Sequence, residues 1–310
     1  MKKSFINTVH LEGRLYSHDL TEKVTGDTSK NPGTPYISGT INIATDNEMT
    51  NVIAVHYTYV APMYPSGKPN GNYPILKDII SGKIKTVTDT DVKQAALLRV
   101  DSAVDLNEFY SDRNGEEALV STKRNEGGFI HIVTSINDDE TVRNKFTTDM
   151  VITGVTHLEA DDEKNLAERA IVKGCIFNFR KAMLPIEFIA VNPAAIAYFE
   201  DLDASNKNPI FTKVWGKEIS TTIVRKIVEE SAFGEPSVRE ISSSRRDFVI
   251  TGASTEPYEW DDESTLTAAE LKEMMAERQT YLATLKKNQD DYKAAQAAPK
   301  VAAKSGGFDF

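Results

Sequence analysis

With 310 residues and 40% hydrophobic content, the chain has material for a packed core, and its length allows two domains or one domain with large loops. No apolar run approaches the ~18 residues a membrane-spanning helix needs, and the single cysteine, Cys175, excludes an internal disulfide and a cysteine-rich zinc site. The net charge of −10 argues against nucleic acid, but about half of it lies between residues 256 and 293, so an acidic C-terminal region can coexist with a basic groove elsewhere.

The start, MKKSFINTVH, has two lysines and no apolar run behind them, so no secretory signal is expected. In INTVHLEGRLYSHDL (6–20), Val9, Leu11, Gly13 and Leu15 alternate with His10, Glu12, Arg14 and Tyr16, the pattern of a half-buried strand. Residues 25–35 read as a loop. Two strands follow, one through Ile37, Gly39, Ile41 and Ile43, the other over Val52–Val60, with a turn at Asp46-Asn47. Residues 61–74 form a second loop, followed by a short helix at 75–82 and another at 90–97. Residues 97–133 read as a series of hairpins, with a strong turn signal at Asn114-Gly115 and a weaker one at Gly127-Gly128. A strand at 146–161 closes the first set.

The second half repeats the order. Strands are expected at 170–180 and 184–191, then a helix opened by Asn192-Pro193 with Ile196, Phe199 and Leu202 on one face, then strands from 208 onward and at 245–254. Each half thus reads as three strands, a helix and two strands, the order of the OB fold, a five-stranded Greek-key barrel. The expected architecture is mainly β with α additions: an OB-like domain over 1–162, a second barrel over 163–254, and an acidic loop and helix over 255–297. Ser264 or Thr265 is the expected cap of that helix, and Leu266, Leu271, Met274, Met275, Tyr281, Leu282 and Leu285 its apolar stripe. Residues 298–310 have the composition of a flexible tether and end in Phe308-Asp309-Phe310.

Asn7, Val9, Leu11, Gly13, Arg14 and Leu15 in NTVHLEGRL resemble the first strand of bacterial-type single-stranded-DNA-binding proteins. The resemblance implies an OB fold, single-stranded DNA as ligand, a cytoplasmic location in a bacterial cell or phage-infected host, and roles in replication, recombination or repair. It also implies that the tail tip, Phe308, Asp309 and Phe310, docks onto replication or recombination proteins. The tail here carries one acid where that family has several, and residues 165–254 have no counterpart in its short form.

Single-strand binding needs cations to track phosphates and aromatic faces on which bases stack. On the resemblance, Arg14 and Tyr16 are offered by the first strand. Tyr57 and Tyr59 share a face of the third strand by alternation, as core fillers or as a stacking platform. The hairpin adds Arg99, Phe109, Tyr110, Lys123, Arg124 and Phe129. In FTKVWGKEIS, Lys213, Trp215 and Lys217 share one face, which suits stacking beside phosphate neutralisation, although lysine stems can equally cover a half-buried tryptophan. Lys173, Arg180, Lys181, Arg225, Lys226, Arg245 and Arg246 are weaker extensions of this surface.

Catalysis is not indicated. Glu159, Asp161, Asp162 and Glu163 cluster in a polar turn, where solvated acids are ordinary, and the histidines at 10, 18, 56, 131 and 157 form no HxH or HxxxH pair. No phosphate-loop, nucleophile-elbow or HExxH motif occurs, and no cofactor or metal is expected. The reading is a non-enzymatic, sequence-tolerant single-stranded-DNA binder with self-association possible through the last helix and no membrane contact. The alternatives are a structural or virion-associated scaffold whose barrels bind protein, and, less favoured, a metal-dependent nuclease using the acidic cluster.

Overall fold

The computed structural model describes residues 4–113, 116–161, 166–229, 237–260 and 266–297. In chain order the elements are β1 (Asn7–His18), β2 (Thr21–Val24), β3 (Pro35–Ala44), β4 (Val52–Val60), α1 (Asn72–Ile80), β5 (Leu97–Arg113), β6 (Glu116–Val133), β7 (Asn144–Leu158), β8 (Arg169–Phe177), β9 (Met183–Ala190), α2 (Pro193–Asp201), β10 (Ile210–Glu229), β11 (Ser237–Ala253) and α3 (Ala268–Ala297). The chain is mainly β, and among the described residues no helix is long and apolar enough to cross a membrane.

The strands close into two rings of five. In ring 1, β1 pairs antiparallel with β3 and β5, β3 pairs with β4, β5 with β6, and β4 runs parallel beside β6. In ring 2, β7 pairs with β8 and β10, β8 with β9, β10 with β11, and β9 runs parallel beside β11. The strand at 146–161, expected to close the first set, is β7 and instead opens ring 2. Its inward residues Phe146, Met150 and Ile152 are buried and bring β8 and β10 together.

The two opening strands also pair with each other, antiparallel, with Asn7 opposite Thr148 and Leu11 opposite Asn144. This register relates the rings by a local two-fold axis, and side-chain detail obeys it. Asn7 accepts from the amide of Val104 on β5 (3.0 Å) and donates to the carbonyl of the same residue (2.9 Å). Asn144 makes the same two bonds to Glu218 on β10, at 3.1 and 2.6 Å. Both opening strands are bulged at matching places, between Leu15 and Ser17 and between Ile152 and Gly154.

This assigns the NTVHLEGRL stretch to folding. Asn7 clasps β5, while Val9, Leu11 and Leu15 enter a core that runs continuously through both rings. Gly13 passes so close to β3 that a Cβ would meet the Ala44 carbonyl oxygen at 2.0 Å. The Arg14 guanidinium, a candidate ligand contact, donates to the Ala95 carbonyl at 3.1 Å.

Several local expectations are corrected. Gly127-Gly128 is no turn: β6 runs straight through it, and the two positive-φ glycines (63° and 106°) form a bulge opposite Asp101–Ala103. β5 and β6 are therefore one long hairpin, paired as far as Arg113 and Glu116; Asn114-Gly115 between them lies outside the described residues. The expected helix at 90–97 is only a single 3-10 turn at Val92–Gln94. For α3 the cap is Thr267: its hydroxyl accepts from the Glu270 amide (3.2 Å) while the Glu270 carboxylate accepts from the Thr267 amide (2.9 Å), a capping box. The inward face of α3 runs through Leu271, Met274 and the buried Arg278, and leaves Met275 and Tyr281 exposed.

Leu266 and α3 cover the outer side of ring 2, where Val151, Cys175, Phe177 and Phe211 form a second cluster with Phe5, Tyr258 and Trp260. Burial pushes the Cys175 thiol up to about 12, so it is inert at neutral pH.

Candidate nucleic-acid interface

An open cleft of about 800 Å³ separates the two rings. One wall is ring 1: Tyr16 and Ser17 from β1, Asn42 from β3, Met49, Thr50 and Asn51 from the β3–β4 loop, and Val52 at the start of β4. The other wall is the long β10–β11 hairpin of ring 2, which contributes Ile219, Ser220 and Arg246. The loop wall is preorganised. The Asp46 carboxylate accepts the amides of Thr50 and Asn51 (both 2.9 Å), and Asn51 then spans the rings, accepting from the Ser220 amide at 2.8 Å.

The outer face of β3 and β4 borders this cleft. His56 pairs with Thr40 across the strands and bonds its hydroxyl at 3.1 Å. Burial first, then the positive fields of Arg124 and Arg246, hold the His56 imidazole below its ordinary range, so it is neutral at pH 7. Two arginines from different rings therefore act on one side chain of this face. Arg124 is ion-paired with Glu126 at 2.8 Å, and Glu126 also accepts from the Thr58 hydroxyl. Arg246 is exposed, and among the described residues no carboxylate pairs with it; its neighbour Arg245 is held by Asp247 at 2.7 Å. At the far end of the face, Tyr59 packs on Tyr36 with the rings tilted, centres 4.7 Å apart, and is 50% exposed.

Tyr57 and Tyr59 do not share a face. Tyr57 is buried in the core and Tyr59 points outward. The cause is an irregularity in the β3–β4 ladder: Gly39 faces Tyr57 but Ile37 faces Val60, so β4 holds one extra residue and the alternation slips there.

The structure therefore gathers Tyr16, Tyr59, Arg124 and Arg246 along one face and places the other candidates elsewhere. Lys213, Trp215 and Lys217 do share the outer face of β10, as alternation predicts, with Val214 and Glu218 turned inward. There the Trp215 indole lies against Gly252, where a Cβ would come within 2.4 Å of it. Lys213 acts on the carboxylate of Asp149, and neither residue lines the cleft. Lys123 donates to the Glu187 carbonyl at 2.7 Å and sits over the Phe248 ring. Tyr110 lies beneath Lys286 of α3. Arg99 and Phe129 are on the β1–β5–β6 side of ring 1, where Phe129 is 63% exposed, and Phe109 is exposed on the hairpin. Lys173 is paired with Glu187 at 3.7 Å, and Arg180 and Lys181 sit in the β8–β9 turn. Arg225 and Lys226 stand opposite Ile241 and Glu240 in the β10–β11 ladder. Phe308, Asp309 and Phe310 lie outside the described residues, as do Asp162 and Glu163 of the acidic turn.

The sequence reading missed Tyr36, Asn42, Asn51 and Ser220. Tyr36 ends a Pro-rich loop and opens a strand, but nothing local signals its packing on Tyr59. The others are polar residues whose role appears only once β10 crosses ring 1.

Comparison with known proteins places the chain at family level. The YorF family profile matches residues 6–288. The chain belongs to the YorF family. No curated protein matches it. Among solved structures, this YorF family member is similar to a deletion mutant of the single-stranded DNA binding protein from Thermus aquaticus, with 10% identity and a TM-score of 0.44, over 85% of this chain and 100% of that chain.

Proposed function

We propose that the chain is a single-stranded-DNA-binding protein built on two OB barrels, and that the strand enters the cleft between ring 1 and the β10–β11 hairpin. The observation that carries this reading is the composition and position of that cleft. It borders the face of the second and third strands of a five-stranded ring, where OB barrels hold oligonucleotides. It is lined by Tyr16, by Arg246, which no carboxylate pairs with among the described residues, and by a row of polar side chains, and the Tyr36–Tyr59 pair stands at the far end of the bordering face. Arginine and aromatic faces supply phosphate neutralisation and sequence-tolerant base stacking, and Asn42 and Ser220 add polar groups to the lining. No bond is made or broken in this role. Affinity comes from counterion release and stacking, and the reading keeps Phe308-Asp309-Phe310 as the segment that recruits partner proteins.

The test is anisotropy of a labelled, mixed-sequence single strand titrated with the protein at low and high salt, with duplex DNA and a single-stranded RNA as parallel arms. Binding of the single strand that falls steeply with salt, and little binding of duplex, is the expected result. Tyr59→Ala is expected to weaken it by ~1–3 kcal/mol, the worth of one stacked base. Absence of single-strand binding at low salt overturns the reading, and a marked preference for RNA redirects it to RNA.

A further inference from the structure

The local two-fold axis implies a second cleft, between ring 2 and the β5–β6 hairpin, and the structure shows what became of it. Val104 and Glu218 correspond, because each is clasped by the opening asparagine of its own ring. The next residues, Asp105 and Leu106 on β5, therefore correspond to Ile219 and Ser220, which line the open cleft. Asp105 and Leu106 do line a cavity, of about 370 Å³, facing the β8–β9 turn as Ile219 and Ser220 face the β3–β4 loop. Glu108 of β5 and Met183 and Leu184 of β9 also line it, and α3 closes it with Met274, Glu277, Arg278 and Tyr281. The helix lies in the second cleft.

We infer that α3 is a built-in occupant of ring 2's cleft, so that the chain presents one nucleic-acid cleft where its architecture provides two. The inference rests on the single-strand reading of the open cleft. Three further observations support it.

First, the charges of the second cleft suit this helix and oppose nucleic acid. Glu108 on β5 takes a two-bond ion pair from Arg278, and Glu117 and Asp112 at the end of the hairpin hold Lys286 and Lys293, the last at 2.8 Å to Glu117 and 3.1 Å to Asp112. Carboxylates on this hairpin would repel phosphates wherever the helix did not cover them. Second, the cation that would serve the second cleft is already engaged. Val104 faces Asn125 and Glu218 faces Phe248, so Lys123, two residues before Asn125, corresponds to Arg246, two residues before Phe248. Arg246 is exposed and, among the described residues, paired with no carboxylate; Lys123 is tied to the Glu187 carbonyl. Third, the ring-2 wall of this cavity offers the helix an apolar contact. Met183 in that wall packs in the apolar cluster that Leu271 and Met274 of α3 join.

Two surface arginines separate the clefts experimentally, since Arg246 lines the open one and Arg180 the occupied one, and both are exposed. In the full-length chain, Arg246→Glu is expected to raise the Kd for a short labelled single strand by about tenfold or more, and Arg180→Glu to leave it within about twofold. Titration at concentrations well above Kd is expected to saturate at one short strand per chain. Equal losses in the two variants, or saturation at two strands, overturn the inference while leaving the single-strand reading standing. Absence of binding in the unmutated chain overturns the single-strand reading and this inference with it.

Discussion

Glu218→Gln is expected to raise the stability of the chain at pH 8 by about 3 kcal/mol and to change it little near pH 5. Glu218 is 3% exposed and sits where β10 meets ring 1, its carboxylate accepting a 2.6 Å bond from the side-chain amide of Asn125. Burial drives its carboxyl up from the ordinary 4.5 to about 7, against the opposing pull of Asn125, Arg246 and Lys123. Between those two values the folded state holds a proton that the unfolded state has released. Stability from this group therefore falls as pH rises from about 4.5 to about 7, and the full cost of burying the charge is present above that range.

The local geometry favours the neutral form for a second reason. The side-chain oxygen of Asn125 is buried without a hydrogen-bond partner. A protonated Glu218, or a glutamine, has a donor to offer it; a carboxylate has none. Urea denaturation of both proteins between pH 5 and pH 8 checks this. The expected signature is a gap between the two curves that opens with pH. The buried carboxyls of Asp105 and Asp149, also raised by burial, are common to both proteins and cancel in that difference. A gap that stays constant with pH would refute the assignment.

Glu108→Ala is expected to cost about 3–5 kcal/mol, because it strands the guanidinium of Arg278 in a site from which water is excluded. Both side chains are almost fully buried, at 3% and 8% exposure, and the pair is the buried one of the ion pairs that fasten α3 to ring 1's hairpin. Removing both charges is a different matter. Glu108→Leu with Arg278→Met is expected to regain most of the loss, since a buried ion pair and a well-packed apolar pair of similar volume are often close in stability. Chemical denaturation of the two variants tests this, and hydrogen exchange along α3 locates it: the single variant is expected to lose protection in α3 before β1 or β7. A single variant within about 1 kcal/mol of the unmutated chain would show that the pair contributes little.

If both expectations hold, the two buried carboxylates have opposite characters. Glu108 has an arginine at contact distance; Glu218 has only an amide in contact and its cations further off, and burial raises its carboxyl. They occupy related parts of the two rings, on β5 and β10, so the divergence of the clefts is written into the buried charges as well as into the surface.

How much of this was legible beforehand depends on the range of the interaction concerned. Alternation in β1, the Asn192-Pro193 helix start and the strand-rich composition of both halves depend on neighbours within a few residues, and the sequence by itself determined them. It also contained the capping box, Thr267-x-x-Glu270, and the paired glycines of β6, although a two-glycine bulge and a turn present the same local pattern. Whether β7 closes one ring or opens the next could not be read, because its alternation is the same in either case and only its partners differ. The single-residue slip that separates Tyr57 from Tyr59 arises from pairing with β3, not from anything in β4 itself. Above all, the cleft is made by a hairpin crossing to the other ring, some 200 residues away along the chain. Charge and aromatic content named the kinds of residue a strand binder needs. Only the tertiary structure decided that Arg246 would stand exposed at the cleft, that Lys123 would be engaged, and that the chain's own helix would lie over the β5–β6 hairpin, because those outcomes depend on which surfaces the two-fold pairing of β1 and β7 brings face to face.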